Sequence, residues 1–215
     1  MLALVKTITI PSATISRLPV YLRSLGDMPP TQATISSEQL AQIVGLNSAQ
    51  VRKDLSYLGA AGVRGVGYGV AELRVDLREA LGLTHGYGVA IVGAGNLGAA
   101  LSNYGGFEAW GFEMSAILDT DAAKIGESLG GLLIEDLVDL ERIVKQRDVA
   151  IGIVATPASS AQDVVNRFVK AGVRSILNFA PAIVQVPSGV VVRRVDLSTE
   201  LQILTYHLHH NEAAG

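Results

Sequence analysis

Cysteine is absent from all 215 residues. Disulfide staples, thiolate nucleophiles and cysteine–zinc sites are therefore excluded, and a reducing cytoplasm suits the chain. Charged residues make up only 17% and aromatics 5%, against 49% hydrophobic residues. Such a balance lets a chain bury a large core and argues against disorder. No apolar run approaches the roughly 20 residues that a membrane span requires. The opening, Met1 to Ser12, has Lys6 inside a very short apolar stretch and makes a poor secretory signal. The expectation is a water-soluble, cytoplasmic protein with no membrane partner, long enough for two unequal domains.

The charge that is present is unevenly placed. Residues 1–70 hold Lys6, Arg17, Arg23, Arg52, Lys53 and Arg64 against Asp27, Glu38 and Asp54, a net +3 in a chain of net −3. A basic first part hints at an anionic partner. Within it, Ile15, Leu18, Leu22 and Leu25 repeat at helical spacing, with Ser12 as an N-cap and Pro19 demanding a kink or a later start. Gly26 to Ala33 reads as a loop. Two further helices follow, one capped by Ser36 or Ser37 and stopped by Gly45, the next capped by Asn47 or Ser48.

The spacing Ala41, Gly45, Val51 fits a helix-turn-helix: small where the helices cross, glycine in the turn, β-branched between the helices. A helical hairpin with a solvated basic face fits equally well. In the helix-turn-helix reading, Val51, Leu55 and Leu58 face inward. Ser48, Gln50, Arg52, Lys53, Ser56 and Tyr57 then face DNA, where Gln reads adenine and Arg and Lys reach guanine or phosphate. Gly62 to Val70, with Arg64 and Tyr68, reads as a hairpin wing, and Glu72 to Leu81 as a linking helix.

The most informative stretch is Val89 to Gly98. An apolar run meets Gly93-Ala94-Gly95-Asn96-Leu97-Gly98, a G-x-G-x-x-G at the start of a helical pattern. Gly93 serves the tight turn, Gly95 the approach of a pyrophosphate, and Gly98 the packing of helix on strand. Asp119 ends the next strand, 21 residues beyond Gly98, where a carboxylate accepts hydrogen bonds from the adenosine ribose. Its charge repels a 2′-phosphate, so NAD(H) is favoured over NADP(H), although Lys124 stands close by.

Strands and helices alternate from here. Expected strands are Val89–Val92, Phe112–Leu118, Leu132–Ile134, Val149–Ala155, Ser175–Asn178 and Val190–Val195. Expected helices are Asn96–Tyr104, Ala122–Glu127, Asp136–Lys145 and Ala158–Ala171. This α/β rhythm predicts a parallel sheet whose strand order reverses between the first strand and Val149–Ala155. Thr156-Pro157 and Asn178-Phe179 should flank the cofactor, with Phe107 and Phe179 walling an apolar nicotinamide pocket.

No histidine falls in a loop after a central strand: the four are His85, His207, His209 and His210. The site is equipped to bind a dinucleotide and lacks an obvious acid–base for turnover. A metal bound by His207, His209 and His210 is less expected than a frayed tail. A small NAD-dependent oxidoreductase and a nucleotide-binding subunit of a CoA-ligase type remain the enzymatic alternatives. Asp196 to His210 places Leu197, Leu201, Leu204 and Leu208 on one helical stripe, which must pack on its own sheet or on a second subunit.

The residues ISRLPVYLR (15–23), SSEQLAQIVGLNSAQVRKDLSYLG (36–59), RGVGY (64–68), VAIVGAGNLGAALSNYGGF (89–107), ILNFAPA (176–182) and VDL (195–197) resemble the Rex family of bacterial redox-sensing repressors. The resemblance implies a winged helix-turn-helix domain over 1–82 and a Rossmann domain with a parallel sheet over 83–195. It implies a swapped dimerisation helix with its tail over 196–215. It also implies a homodimer that binds a palindromic operator and is released by NADH. The recognition helix then falls on Ser48–Leu58, including Ala49, and the wing on Arg64, Gly65 and Tyr68. Gly93–Gly98 forms the NAD(H) loop, and Arg23, Tyr104 and Asp196 belong to the switching region. The chain departs from the family pattern at Leu58, Val63 and Thr156-Pro157.

Overall fold

The computed structural model describes residues 10–212, with side chains through His210. The opening apolar stretch around Lys6 and the last three residues lie outside the described residues. The chain folds as two compact units that divide between His85 and Gly86.

In the first unit, Pro19 has the effect expected of it. A short α1 (Ser12–Ile15) ends, and α2 (Leu18–Gly26) restarts with Pro19 in its first turn, where a missing N–H costs nothing. Ser12 does not cap α1; Pro11 stands at that position and makes no side-chain cap, so Ser12 is the first helical residue. Part of the segment read as loop leads into a two-residue strand, β1 (Thr34–Ile35).

α3 (Ser37–Val44) begins with a capping box. The Ser36 Oγ accepts from Gln39 N–H at 3.1 Å, and Gln39 Oε1 accepts from Ser36 N–H at 2.8 Å. Gly45, at φ +70°, stops the helix. Asn47 Oδ1 then accepts from Gln50 N–H at 2.8 Å and caps α4 (Ser48–Ser56). α5 (Val70–Ala80) closes the unit. Leu18, Tyr21, Leu25, Leu40, Val51, Leu55, Leu73 and Leu77 form its buried interior. Leu58, expected inside, is only half-buried because α4 ends before it.

The expected hairpin is real but smaller than read. Val63 and Gly67 exchange backbone hydrogen bonds of 2.8 Å in both directions across a turn that carries Arg64. The following strand, β2 (Tyr68–Gly69), pairs with β1 instead of extending that hairpin. A two-residue strand is too short to announce itself by alternation.

The second unit is a seven-stranded sheet. It contains β3 (Tyr87–Val92), β4 (Phe112–Asp119), β5 (Ser128–Leu129), β6 (Leu132–Asp136), β7 (Val149–Val154), β8 (Ser175–Asn178) and β9 (Val191–Arg194). Their order is β5-β6-β4-β3-β7-β8-β9. All pairings are parallel except β5 with β6. α6 (Asn96–Ser102) follows β3, α7 (Leu140–Gln146) precedes β7, and α8 (Ala158–Ala171) joins β7 to β8.

Two sequence expectations fail here. Residues Ala122–Glu127 form turns, not a helix, because Gly126 at φ +90° leads straight into β5. The helix expected over Asp136–Lys145 is split, with Asp136 Oδ1 capping a 3₁₀ turn at Leu137–Asp139 before α7 begins.

α7 and α8 bury one face of the sheet around Phe168, Val164, Leu140 and Ile143. On the other face lie Val89, Ile91 and Ile153, bordered by half-buried Phe112, Met114, Ile151, Leu177 and Phe179. The last helix, α9 (Leu197–Glu212), is exposed at every residue from Leu197 to His210. Its Leu197, Leu201, Leu204 and Leu208 are each more than half exposed, at 67%, 64%, 56% and 65%.

Candidate functional site

The strand order reverses between β3 and β7, as the pattern of strands predicts. In open parallel sheets ligands bind beyond the carboxyl ends of the strands at such a point. The turn from β3 to α6 stands there. Gly93 adopts φ +109° and donates its N–H to the Leu118 carbonyl at 2.8 Å. A Cβ on Gly93 would stand 2.5 Å from the Ala155 carbonyl oxygen, past the end of β7. A Cβ on Gly98 would collide with the Gly93 carbonyl. The first and third glycines are thus demanded by the protein's own backbone. Gly95 differs, since nothing lies within 4 Å of where its Cβ would be. That open position, beside exposed Asn96 and Leu97 and the unpaired N–H groups of a helix start, fits a phosphate group.

Asp119 is bound into the same loop. Its Oδ2 accepts from Ala94 N–H at 2.8 Å and from Lys124 Nζ at 3.2 Å. Its Oδ1 accepts from the N–H groups of Thr120 and Asp121 at 2.7 and 3.0 Å. Burial works to raise the Asp119 pKa, but the backbone N–H groups of Asp121 and Ala94, together with Lys124, hold it below the usual carboxylate range. An ionised acid at this place suits ribose hydroxyls.

Thr156 follows β7 against Gly93, and its Oγ1 is buried without a hydrogen-bond partner. An orphaned hydroxyl costs about 1–3 kcal/mol, which a bound polar group would recover. Pro157 next to it is exposed at the start of α8. Asn178 is buried and holds its own loop: Nδ2 donates to the Ala182 carbonyl at 3.0 Å, and Oδ1 accepts from Ala180 N–H at 2.9 Å. Its side chain shapes the loop with one bond from each end of the amide.

Phe107 and Phe179 occupy different settings. Phe179 packs beside Ile91 and Ile153. Phe107 meets Tyr104 edge-on, with ring centroids 5.0 Å apart, and both line an open groove of about 400 Å³ that includes Ser102, Glu108 and Met114. Among the described residues no cluster of three or more metal-ligating side chains forms, and His207, His209 and His210 all lie exposed on α9.

The helix-turn-helix presents Ala49, Arg52, Lys53 and Ser56 to solvent on α4, with Ser48, Gln50 and Tyr57 half-buried. Arg52 Nη1 donates to Ser37 Oγ at 3.0 Å and Glu38 Oε1 at 2.9 Å. Arg64 and Gly65 are exposed on the wing, whereas Tyr68 is half-buried. Gln50, expected to face bases, turns its Nε2 to Asp54 Oδ1 at 2.9 Å.

Asp54 is the residue that sequence reasoning missed. It is fully buried on α4 and also accepts from Thr14 Oγ1 at 2.9 Å, Tyr21 Oη at 2.7 Å and the Arg17 guanidinium. The signal was available: Asp54 shares the inward face with Val51 and Leu55 by helical spacing and stands four residues after Gln50.

A family profile described as "Putative DNA-binding protein N-terminus" matches residues 9–56, and one described as "CoA binding domain" matches residues 84–182. The redox-sensing transcriptional repressor Rex of Streptomyces griseus is 53% identical over 199 residues, which is 92% of this chain and 79% of that protein. The chain belongs to the Rex family. Rex of Carboxydothermus hydrogenoformans is 47% identical over 207 residues, covering 96% of this chain and 100% of its own. Among solved structures, RSP, a Rex-family repressor, matches with a TM-score of 0.88 at 35% identity, covering 95% of this chain and 96% of that one. RSP in complex with β-NAD⁺ and operator DNA matches at 0.89, covering 95% of both chains. RSP with β-NADH matches at 0.86, covering 95% of this chain and 96% of that one.

The three switch positions that the Rex resemblance implies are placed as follows. Arg23 is exposed on α2. Tyr104 is 54% exposed beside Phe107. Asp196 precedes α9, where its Oδ1 accepts from Ser198 N–H and Ser198 Oγ at 3.1 and 2.6 Å. Among the described residues no hydrogen bond joins Tyr104 to Asp196.

Proposed function

We propose that this chain is a DNA-binding transcriptional repressor that senses the NADH/NAD⁺ ratio in the cytoplasm. The observation that carries this reading is the join, in one Rex-family chain, of a capped and winged helix-turn-helix with a Gly93–Gly98/Asp119 crevice. RSP, of the same family, has been crystallised with NAD⁺ plus operator DNA and with NADH.

In this reading residues 1–82 bind DNA, residues 83–195 bind NAD(H), and residues 196–215 join two subunits. Ser48, Ala49, Arg52, Lys53, Ser56 and Tyr57, with Arg64, Gly65 and Tyr68 of the wing, approach the duplex. Gln50 approaches it with the part of its amide that Asp54 leaves free. Gly93 to Gly98 and Asp119 cradle the dinucleotide, while Thr156, Pro157, Phe179, Tyr104 and Phe107 border it, and Asn178 shapes one rim. The exposed leucines of α9 seat on a second subunit, beside the sheet face that α6 only partly covers. Arg23, Tyr104 and Asp196 belong to the switching region.

Two recognition helices must lie about 34–36 Å apart to reach successive major grooves of a palindromic operator. NADH acts by binding the released geometry more tightly than the DNA-binding one; equal affinity for both would shift nothing. DNA must then weaken NADH binding by the same factor. Fluorescence-anisotropy titration of a palindromic duplex tests the reading: NADH displaces the DNA and NAD⁺ leaves it bound. Equal displacement by both, or by neither, defeats the redox-sensor assignment.

A further inference from the structure

A carboxylate offers about four lone-pair positions to hydrogen-bond donors. At Asp119 four donors already stand in them. Three are backbone N–H groups: Ala94 at 2.8 Å on Oδ2, and Thr120 and Asp121 at 2.7 and 3.0 Å on Oδ1. These are built into the β3–α6 loop and the turn after β4, so a ligand cannot remove them without refolding the site. The fourth donor is Lys124 Nζ, at 3.2 Å from Oδ2. It sits at the end of a flexible four-carbon stem, its side chain is 36% exposed, and Asp121 Oδ2 stands 3.7 Å away as a second acceptor. The turn that carries it is held independently, by Lys124 N–H to the Asp121 carbonyl at 2.9 Å and Ala123 N–H to Asp121 Oδ1 at 3.0 Å.

A ribose diol binds such an acid by donating to it. With every acceptor position filled, it needs one donor to leave, and Lys124 is the only one that can. From these contacts we infer that Lys124 is a displaceable latch on Asp119, exchanged for an adenosine ribose hydroxyl when a dinucleotide binds. The inference rests on the dinucleotide reading of the crevice.

Once displaced, the ammonium swings to Asp121. It then stands at the ribose edge, where a 2′-phosphate would project. The same side chain therefore has opposite effects on two ligands. It competes with the ribose of NAD(H), and it offsets part of the repulsion between Asp119 and the extra phosphate of NADP(H). A half-exposed pair of this kind shifts affinity by about two- to fivefold.

The test is Lys124→Met in the full chain, with NADH and NADPH binding measured by calorimetry and the folded state checked by circular dichroism. Methionine keeps the stem length and removes the donor and the charge. NADH should bind about two- to fivefold more tightly than to the unsubstituted protein, and NADPH more weakly by a similar factor. The opposite signs separate a latch from a general structural effect, which would move both ligands together. Unchanged NADH affinity, or a fall for both ligands, would overturn the latch while leaving the dinucleotide site standing. An unsubstituted protein that binds neither ligand would remove the dinucleotide reading and the latch with it.

Discussion

Arg17 grips Asp54 with two bonds, Nε to Oδ2 at 2.6 Å and Nη2 to Oδ1 at 2.8 Å. One partner lies at the entrance to α2 and the other in the last turn of α4. Tyr21, Thr14 and Gln50 complete the shell around the carboxylate. The helix that would read DNA is thus tied to the unit's first two helices through a single buried charge.

Removing that charge leaves Arg17 without its partner. Asp54→Asn should cost about 3 kcal/mol in the first unit, the range seen when one member of a buried pair is deleted. Tyr21→Phe, which removes one neutral donor, should cost about 1–2 kcal/mol. Urea unfolding of the two variants gives both numbers, and equal losses would show that the charge itself contributes little.

Asp54 also sets an acid limit. Burial favours its protonation, but Arg17, Tyr21, Thr14 and Gln50 outweigh that and hold its pKa well below the usual carboxylate range. A depressed folded-state pKa contributes stability above the unfolded value of about 4, and that stability is lost as pH falls toward the folded value. Melting temperatures of the unsubstituted protein should drop below about pH 4, and Asp54→Asn should flatten that part of the profile. Parallel profiles for the two proteins would assign the acid sensitivity elsewhere.

The glycine loop makes a paired prediction. Gly98→Ala puts a methyl against the Gly93 carbonyl and should lower both stability and NADH affinity. Gly95→Ala meets no protein atom within 4 Å, so the melting temperature should hold while NADH binding weakens. Thermal shift with and without NADH separates the two. Intact NADH binding in Gly95→Ala would move the pyrophosphate away from that position.

On the nucleic-acid side, Lys53 is exposed and among the described residues no ion pair holds it, whereas Arg52 is engaged by Glu38 at 2.9 Å. Lys53→Ala should weaken binding across duplex sequences and reduce the salt slope by about 1. Its NADH affinity should stay unchanged. Loss of both activities together would indicate an unfolded variant.

The exposed stripe on α9 predicts the last outcome. Leu201→Asp with Leu204→Asp should turn a dimer into a monomer in sedimentation analysis, because both leucines are more than half exposed within one subunit. A dimer that persists would place the interface on another surface.

Periodicity and chain punctuation were legible wherever an element was long or carried a cap. α8 and β8 have the bounds expected from the sequence, Ala158–Ala171 and Ser175–Asn178. Gly45, Gly172 and Asp119 mark ends that their chemistry requires. The two-residue strands β1 and β2 and the turns over 122–127 were not legible, because pairing and glycine conformation decide them at lengths where no period exists.

By itself, then, the sequence determined the two-part plan, the parallel sheet with its reversal at β3 and β7, and the glycine–acid pair that suits a dinucleotide. Those follow from local rules: side-chain period, helix caps and the absence of a Cβ. Only the tertiary structure decided who partners whom. It turned the Gln50 amide away from the expected DNA face and onto buried Asp54, in a shell shared with Arg17. It used Asn178 to hold a loop, and filled Asp119 with four donors. It also left the leucines of α9 uncovered by their own chain. Hydrogen bonds between side chains far apart in sequence have no period and no composition; they exist only once packing has brought the groups within about 3 Å of each other.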